Sequence, residues 1–147
     1  MNVMQIMTLD PACCMPDDRL SDVAALMVEY DCGGIPVVES METLKPIGVI
    51  TDRDIACRAV TEGNGALEKT VADYMSSPCV AVTPEASVED CCQILEKHRI
   101  RRVPVVDDEG ILCGMVSQAD IAIHAPMNKA AHTLRAVSQR PASRVLV

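Results

Sequence analysis

The sequence predicts an α/β (α+β) fold in which two β-α-β-β-α repeats pack sheet to sheet about a pseudo-twofold axis. Three observations carry this expectation. The 147-residue chain states one pattern twice: Met7, Pro16, Asp22 and Pro36-Val37-Val38 return 68 residues later as Met75, Pro84, Asp90 and Pro104-Val105-Val106. The first copy then carries two extra residues, and Gly48-Val49-Ile50-Thr51-Asp52-Arg53-Asp54 returns 66 residues later as Gly114-Met115-Val116-Ser117-Gln118-Ala119-Asp120. What persists is Gly, Pro, a hydroxyl and a carboxylate with the apolar pattern between them, the mark of a repeated folding unit. Finally, each copy is too small for a comfortable core, because domains near or below about 60 residues bury little surface. The two should form one globule: residues 1–59 as the first repeat, 60–70 as a linker with two Gly, 71–124 as the second repeat and 125–147 as a tail.

Each repeat opens on a capping pattern. Asn2 stands three residues before Gln5, and Thr70 three before Asp73, the spacing of a helix N-cap and its reciprocal partner. A brief strand is expected at 12–15 and again at 79–82. Acids follow in Pro16-Asp17-Asp18 and Pro84-Glu85-Ala86, at the start of a helix whose dipole favours negative charge. That helix carries Leu20, Val23, Ala24 and Met27 in the first copy and Val88, Cys91, Cys92 and Leu95 in the second. Both sets fall at i, i+3, i+4 and i+7, one apolar stripe turned to the interior. Short β-branched runs at 35–38 and 47–50, and at 103–106 and 111–116, complete the sheets. Asp107-Asp108-Glu109-Gly110 is an acidic, Gly-ended connector suited to a hairpin. A last helix begins near Asp52 and near Gln118.

Composition excludes several functions. A net charge of −8 offers no basic face for a phosphate backbone. Two Tyr, with no Phe or Trp, provide few stacking platforms for single strands, so nucleic acid is not an expected partner. No run approaches the roughly 18 apolar residues of a membrane span, and no basic leader precedes an apolar run at the N-terminus. A cytoplasmic protein without a membrane partner is expected. No Ser/His/Asp or Cys/His set and no Gly-x-x-x-x-Gly-Lys loop is present, so no catalytic residue and no required cofactor is expected. The eight cysteines contain no Cys-x-x-Cys and stand at no ligand spacing with His98, His124 or His132. Cys91 and Cys92 take the places of Val23 and Ala24, as small buried hydrophobes do. Core packing is therefore expected ahead of a metal site or disulfide, with Cys13-Cys14 the pair of less certain register.

The frame of Met-Thr/Ser, Pro, apolar helix, Pro-Val-Val and Gly-x-x-Thr/Ser-x-x-Asp, present twice in order, resembles that of the CBS domain, named for cystathionine β-synthase. The tandem resembles a Bateman module. The resemblance covers residues 1–124 and implies a stand-alone CBS pair. It implies that clefts between the repeats take an adenosine-containing regulatory ligand: AMP, ADP, ATP, S-adenosylmethionine or an NAD-type dinucleotide. Carried over by motif, Thr51 and Asp54 in the first copy and Ser117 and Asp120 in the second would meet ribose and phosphate. The chemistry agrees, since one carboxylate can accept from both ribose hydroxyls and a hydroxyl at a helix start lies near unpaired N–H groups. Arg53, inside the first motif, is placed to reach a phosphate. Ile35, Pro36, Val103 and Pro104 are the candidate apolar slot for adenine. Thr/Ser-x-x-Asp is equally a plain helix cap.

The copies are not equivalent. Where the first has Asp31, Gly33 and Gly34, the second has Arg99, Arg101 and Arg102, the one dense basic cluster of the sequence. These are either cations complementing a helix C-terminus or guanidinium forks for a phosphate. His98, just ahead, is expected on the surface. In the tail, Ala130, Leu134 and Val137, with Lys129, Arg135, Arg140 and Arg144 elsewhere, predict a short amphipathic helix and a Pro-broken end. Free of acid, it should fold back on its own chain or on a partner subunit. The resemblance implies a homodimer, and the signal of such a pair must reach an unknown protein partner in trans. The leading expectation is a non-enzymatic adenine-nucleotide sensor. The alternatives are an interaction scaffold with vestigial pockets and a thiol or metal redox sensor.

Overall fold

The computed structural model describes residues 1–139, so Arg140 and Arg144 of the expected tail lie outside the described residues. The first repeat contains strand β1 (Thr8–Leu9), helix α1 (Leu20–Glu29), strands β2 (Gly34–Val38) and β3 (Pro46–Thr51) and helix α2 (Asp52–Asp54). The second contains α3 (Val88–His98), β4 (Arg102–Val106), β5 (Leu112–Ser117) and α4 (Gln118–His124), and α5 (Met127–Ser138) follows. Helix α2 widens into a π turn over Ile55–Ala59 and tightens into a 3-10 turn over Val60–Glu62. The opening segments Val3–Gln5 and Val71–Asp73 are 3-10 turns. Asn2 and Gln5 form the expected reciprocal cap, at 2.8 and 3.3 Å. Thr70 instead donates its hydroxyl to the Asp73 carboxylate at 3.3 Å and caps no backbone group.

Strands β2 and β3 pair antiparallel with Gly34 opposite Thr51 and Ile35 opposite Ile50. Strands β4 and β5 repeat this with Arg102 opposite Ser117 and Val103 opposite Val116. Alternation along each strand sends Ile35, Val37 and Ile50 into one core and Val103, Val105 and Val116 into another. The strands expected at 12–15 and 79–82 are reduced to single parallel bridges, Cys14 to Val37 and Val82 to Val105. Pro11 and Pro16 flank the first and Pro78 and Pro84 the second. Proline has no N–H to extend a ladder.

Each core is completed by a segment from the other repeat. Val3 and Ile6 pack with Val88, Leu95, Val103 and Ile121 of the second repeat, while Ala66, Val71 and Tyr74 pack with Leu20, Val23, Ile35 and Ile50 of the first. Residues 60–70 are thus more than a connector. The backbone bonds are reciprocal: Val3 and Met4 donate to the Ala86 and Pro84 carbonyls at 2.9 and 3.0 Å, and Val71 and Ala72 to those of Asp18 and Pro16, both at 2.9 Å. Likewise β1 pairs antiparallel with β5, Thr8 opposite Met115, and Ser76 bridges to Val49. Among the described residues the result is a three-stranded sheet, β1-β5-β4, and a two-stranded sheet, β2-β3. Gly48 permits the close approach, since a Cβ there would stand 2.6 Å from the Ser76 carbonyl oxygen.

Helix α5 folds back on its own chain, against α3 and α4. It buries Ala130, Thr133 and Val137, with Leu134 half-buried. Its polar anchor is Glu96 of α3, which accepts from the Thr133 hydroxyl at 2.7 Å and lies 3.3 Å from Lys129 Nζ and 3.2 Å from His132 Nδ1.

Candidate functional site

Thr51 and Ser117 stand where β3 and β5 turn into α2 and α4, each in extended backbone as the N-cap. In the first copy Asp54 Oδ2 accepts from Thr51 N at 3.0 Å and from the Thr51 hydroxyl at 2.9 Å, while Thr51 Oγ1 accepts from Asp54 N at 3.1 Å. Ser117 and Asp120 repeat the box at 2.7, 2.9 and 3.4 Å. The motif is therefore a helix cap in both copies, and the cap uses one carboxylate oxygen. The other differs between them. Asp54 Oδ1 faces Arg58 Nη1 at 3.5 Å, whereas among the described residues Asp120 Oδ1 meets no protein donor. Arg58 also donates to the Tyr74 carbonyl at 2.8 Å, and its guanidinium carbon stands 5.8 Å from the Tyr74 ring centroid. Tyr74 in turn donates its hydroxyl to Glu62, which pairs with Lys69 at 3.0 Å. The bonds from Tyr74 and then Lys69 hold the Glu62 carboxyl below its usual range. The Asp54 end is thus tied to the segment that completes its core.

The three arginines of the second copy part company. Arg99 is exposed and ends α3 in the left-handed region at φ 52°, and Arg101 is exposed. Arg102 alone of the three is placed across the seam, Nη1 donating to the Gly33 carbonyl at 2.9 Å. A Cβ on Gly34 would collide with the Arg102 side chain, so the glycine is what admits it. Arg53 is exposed, with its backbone N–H on Asp52 Oδ1 at 2.8 Å.

The four residues of the expected adenine slot divide between the two faces of their strands. Ile35 and Val103 are fully buried in two different cores, and Pro36 and Pro104 are buried too. The carbonyls of Pro36 and Pro104 already accept from Cys14 N and Val82 N at 3.1 and 3.0 Å. Strand alternation turns Ile35 and Val103 into the cores and Pro36 and Pro104 to the opposite faces. An open groove that the sequence did not signal lies between α1 and the helix after Thr51, ≈ 690 Å³ in volume and lined by Ala24, Met27, Cys32, Asp52, Ile55 and Val60. The corresponding face of the second repeat is where α5 packs.

Cys14, Cys91 and Cys92 are fully buried, as core packing requires. Burial pushes the Cys14 and Cys91 thiols up to about 12 and Cys79 to about 11. Burial, with Asp18 nearby, raises Cys13 as well. Thiols held neutral are poor nucleophiles and poor metal ligands. Among the described residues no group of three or more His, Cys, Asp or Glu side chains could hold a metal ion, and no helix is long and apolar enough to cross a membrane.

The chain matches the family model described as CBS domain over residues 3–59 and again over 71–126. It is 36% identical over 130 residues to the CBS domain-containing protein YhcV of Bacillus subtilis, covering 88% of this chain and 89% of that protein. A crystal structure of Hypoxic Response Protein I with two coordinated zinc ions is similar at a TM-score of 0.74 and 29% identity, over 86% of this chain and 100% of that one. A CBS domain pair solved in complex with 5-methylthioadenosine and S-adenosyl-L-methionine shares the fold at a TM-score of 0.74 and 24% identity, over 84% of this chain and 98% of that one. Since the family match falls on both copies, and both copies build the same small sheet and the same capped turn, the chain belongs to the CBS domain family as a tandem pair, or Bateman module, a regulatory and non-catalytic kind of domain.

Proposed function

We propose that this chain is a stand-alone regulatory CBS pair of the cytoplasm that binds an adenosine-containing ligand between its repeats and signals to a protein partner in trans. The observation that supports this best is the state of the two carboxylates. Each is held rigid by its cap through one oxygen, and Asp120 keeps the other oxygen free of protein donors among the described residues. An oriented carboxylate with a spare oxygen is the acceptor that a pair of cis ribose hydroxyls requires. Arg53 and Arg102 supply cations for a phosphate, while Arg99 at its helix end is left out of the site. Adenine would bind in the seam between the repeats, on the faces turned away from the two cores, where strand alternation places Pro36 and Pro104 rather than Ile35 and Val103. The ligands of the solved pair, 5-methylthioadenosine and S-adenosyl-L-methionine, belong to that protein; here AMP, ADP, ATP, NAD and S-adenosylmethionine are the candidates. A ligand touching both repeats shifts the population of their relative angles and so the helical faces shown to a partner. A homodimer through those faces is part of the reading.

The test is a thermal-shift panel of those five compounds on nucleotide-free protein, repeated on Asp54→Asn and Asp120→Asn. A ligand at 100 times its Kd stabilises by about 2.7 kcal/mol. A shift abolished by one substitution identifies the working site. No shift with any compound replaces the sensor by an interaction scaffold with silent pockets.

A further inference from the structure

The two capped ends share one cation. In an antiparallel ladder, directly opposed residues project from the same face of the sheet. Arg102 opposes Ser117, so its side chain leaves the sheet beside the Ser117–Asp120 cap. Gly34 opposes Thr51 and has no side chain to offer at the Thr51–Asp54 cap. The Arg102 side chain crosses into that gap: its Cδ, Nε and Nη1 occupy the space a Cβ on Gly34 would need, and Nη1 bonds to the Gly33 carbonyl at 2.9 Å. A Cβ on Gly33 would stand 3.4 Å from Arg102 Nη2 and 2.8 Å from Asp52 Oδ2, so guanidinium and Asp52 flank the same glycine. Arg102 is thus rooted beside one cap and ends beside the other. Because its mate position is Gly34, no second side chain makes the return crossing.

We propose that Arg102 is a specificity residue shared by the two sites, so that anionic adenosine ligands fill the pair with negative cooperativity and uncharged adenosine does not. This rests on the reading that the capped ends bind adenosine compounds. A guanidinium presents one planar fork and grips one phosphate well. A phosphate at the Thr51 end takes the fork where it already lies, displacing the Gly33 carbonyl. A phosphate at the Ser117 end must draw it back across the seam. Whichever binds first leaves the second without the Arg102 fork.

The experiment is isothermal titration of the full chain, and of Arg102→Ala and Arg102→Lys, with AMP and with adenosine. Adenosine should fill two sites whose affinities are the same in all three proteins, since it offers Arg102 no phosphate. AMP should fill the unsubstituted chain in two steps separated at least tenfold in affinity. In Arg102→Ala the first step should weaken about tenfold, the value of one charge-assisted contact, and the separation should collapse. Arg102→Lys, retaining charge but not the fork, should fall between. Two equal AMP sites in the unsubstituted chain, a separation unchanged in Arg102→Ala, or a single adenosine site overturns the sharing and leaves the sensor reading standing. Failure of both compounds to bind any of the three proteins overturns both.

Discussion

At the scale of single residues, Asp54 and Asp120 cap their helices and are proposed to hold the ligand, two roles that different substitutions separate. Alanine removes the oxygen that accepts from the cap residue's N–H and hydroxyl. Loss of such a cap costs about 1–2 kcal/mol, so Asp54→Ala and Asp120→Ala should be less stable as well as unable to bind. Asparagine keeps an oxygen for the cap but places an NH2 donor toward the ligand. Asp120→Asn should therefore melt close to the unsubstituted protein in urea and still lose the ligand; retained binding would assign the carboxylate to the cap alone. The thiols give a second prediction. Burial first, then Asp18 for Cys14 and Cys92 for Cys91, raises both from an ordinary 9.0 to about 12. The fold therefore holds the protonated form. Its stabilising contribution is complete below pH 9.0 and is lost as pH rises from there toward about 12, because the unfolded chain releases a proton that the native chain keeps. The slope is about 1.4 kcal/mol per pH unit for each thiol. Urea midpoints should fall steadily above pH 9, and Cys14→Val should reduce the slope; a flat profile would show that these thiols are not held neutral. The burial of Cys91 and Cys92 was legible because the repeat aligns them with Val23 and Ala24. That the Ile35 and Val103 side chains enter the cores was not legible, because a run of apolar strand residues does not say which face meets the helices.

Among the elements, α5 depends on one carboxylate. Thr133 is fully buried with its hydroxyl on Glu96, and Lys129 and His132 reach the same oxygen. Burial works to raise the Glu96 carboxyl, but the bonds from Thr133, His132 and Lys129 outweigh it and hold it below its ordinary 4.5. The stability it contributes is present above that value and is lost as pH falls through the depressed one. A hydrogen bond to a charged group is worth about 1.5–3 kcal/mol, so Glu96→Ala should loosen α5 by roughly that amount while leaving the sheets intact. The measurement is limited trypsin digestion: cleavage at Lys129 and Arg135 should speed up in the variant, and an unchanged rate would mean that apolar packing alone holds the helix. The sequence located this helix, left open whether it folds back on its own chain or on a partner, and put Leu134 rather than Thr133 in the stripe with Ala130 and Val137. A threonine reads as surface until its partner is known, and Glu96 lies on what looks like the charged outer face of α3. The strands expected at 12–15 and 79–82 failed for a different reason, their flanking prolines limiting each to one bridge.

For the whole molecule, the repeat offset made the twofold relation legible, yet it left open which copy each opening segment completes. Apolar residues at Val3, Ile6, Val71 and Tyr74 announce burial and say nothing of the address. In the structure they are exchanged, and the exchange makes a cut at the apparent boundary the wrong one. A fragment of residues 1–59 would carry Val3 and Ile6 with no core to enter and would lack Ala66, Val71 and Tyr74, which close the core over Leu20, Val23 and Ile50. Each fully buried side chain of Val size or larger is worth about 1.5–3 kcal/mol, and a domain of this size has little to spare. A fragment of residues 10–76 omits the two orphans and keeps the closing segment, with the Val71 to Asp18, Leu20 to Lys69 and Val49 to Ser76 backbone bonds intact. The 10–76 fragment should show a cooperative, if low, thermal transition by circular dichroism, and the 1–59 fragment none. The reverse result would mean that the exchanged segments are attachments rather than parts of the cores. If the prediction holds, residues 10–76 form one unit with its own core and residues 1–9 with 77–126 the other, so a signal can pass as a change in the angle between two units that each stay folded.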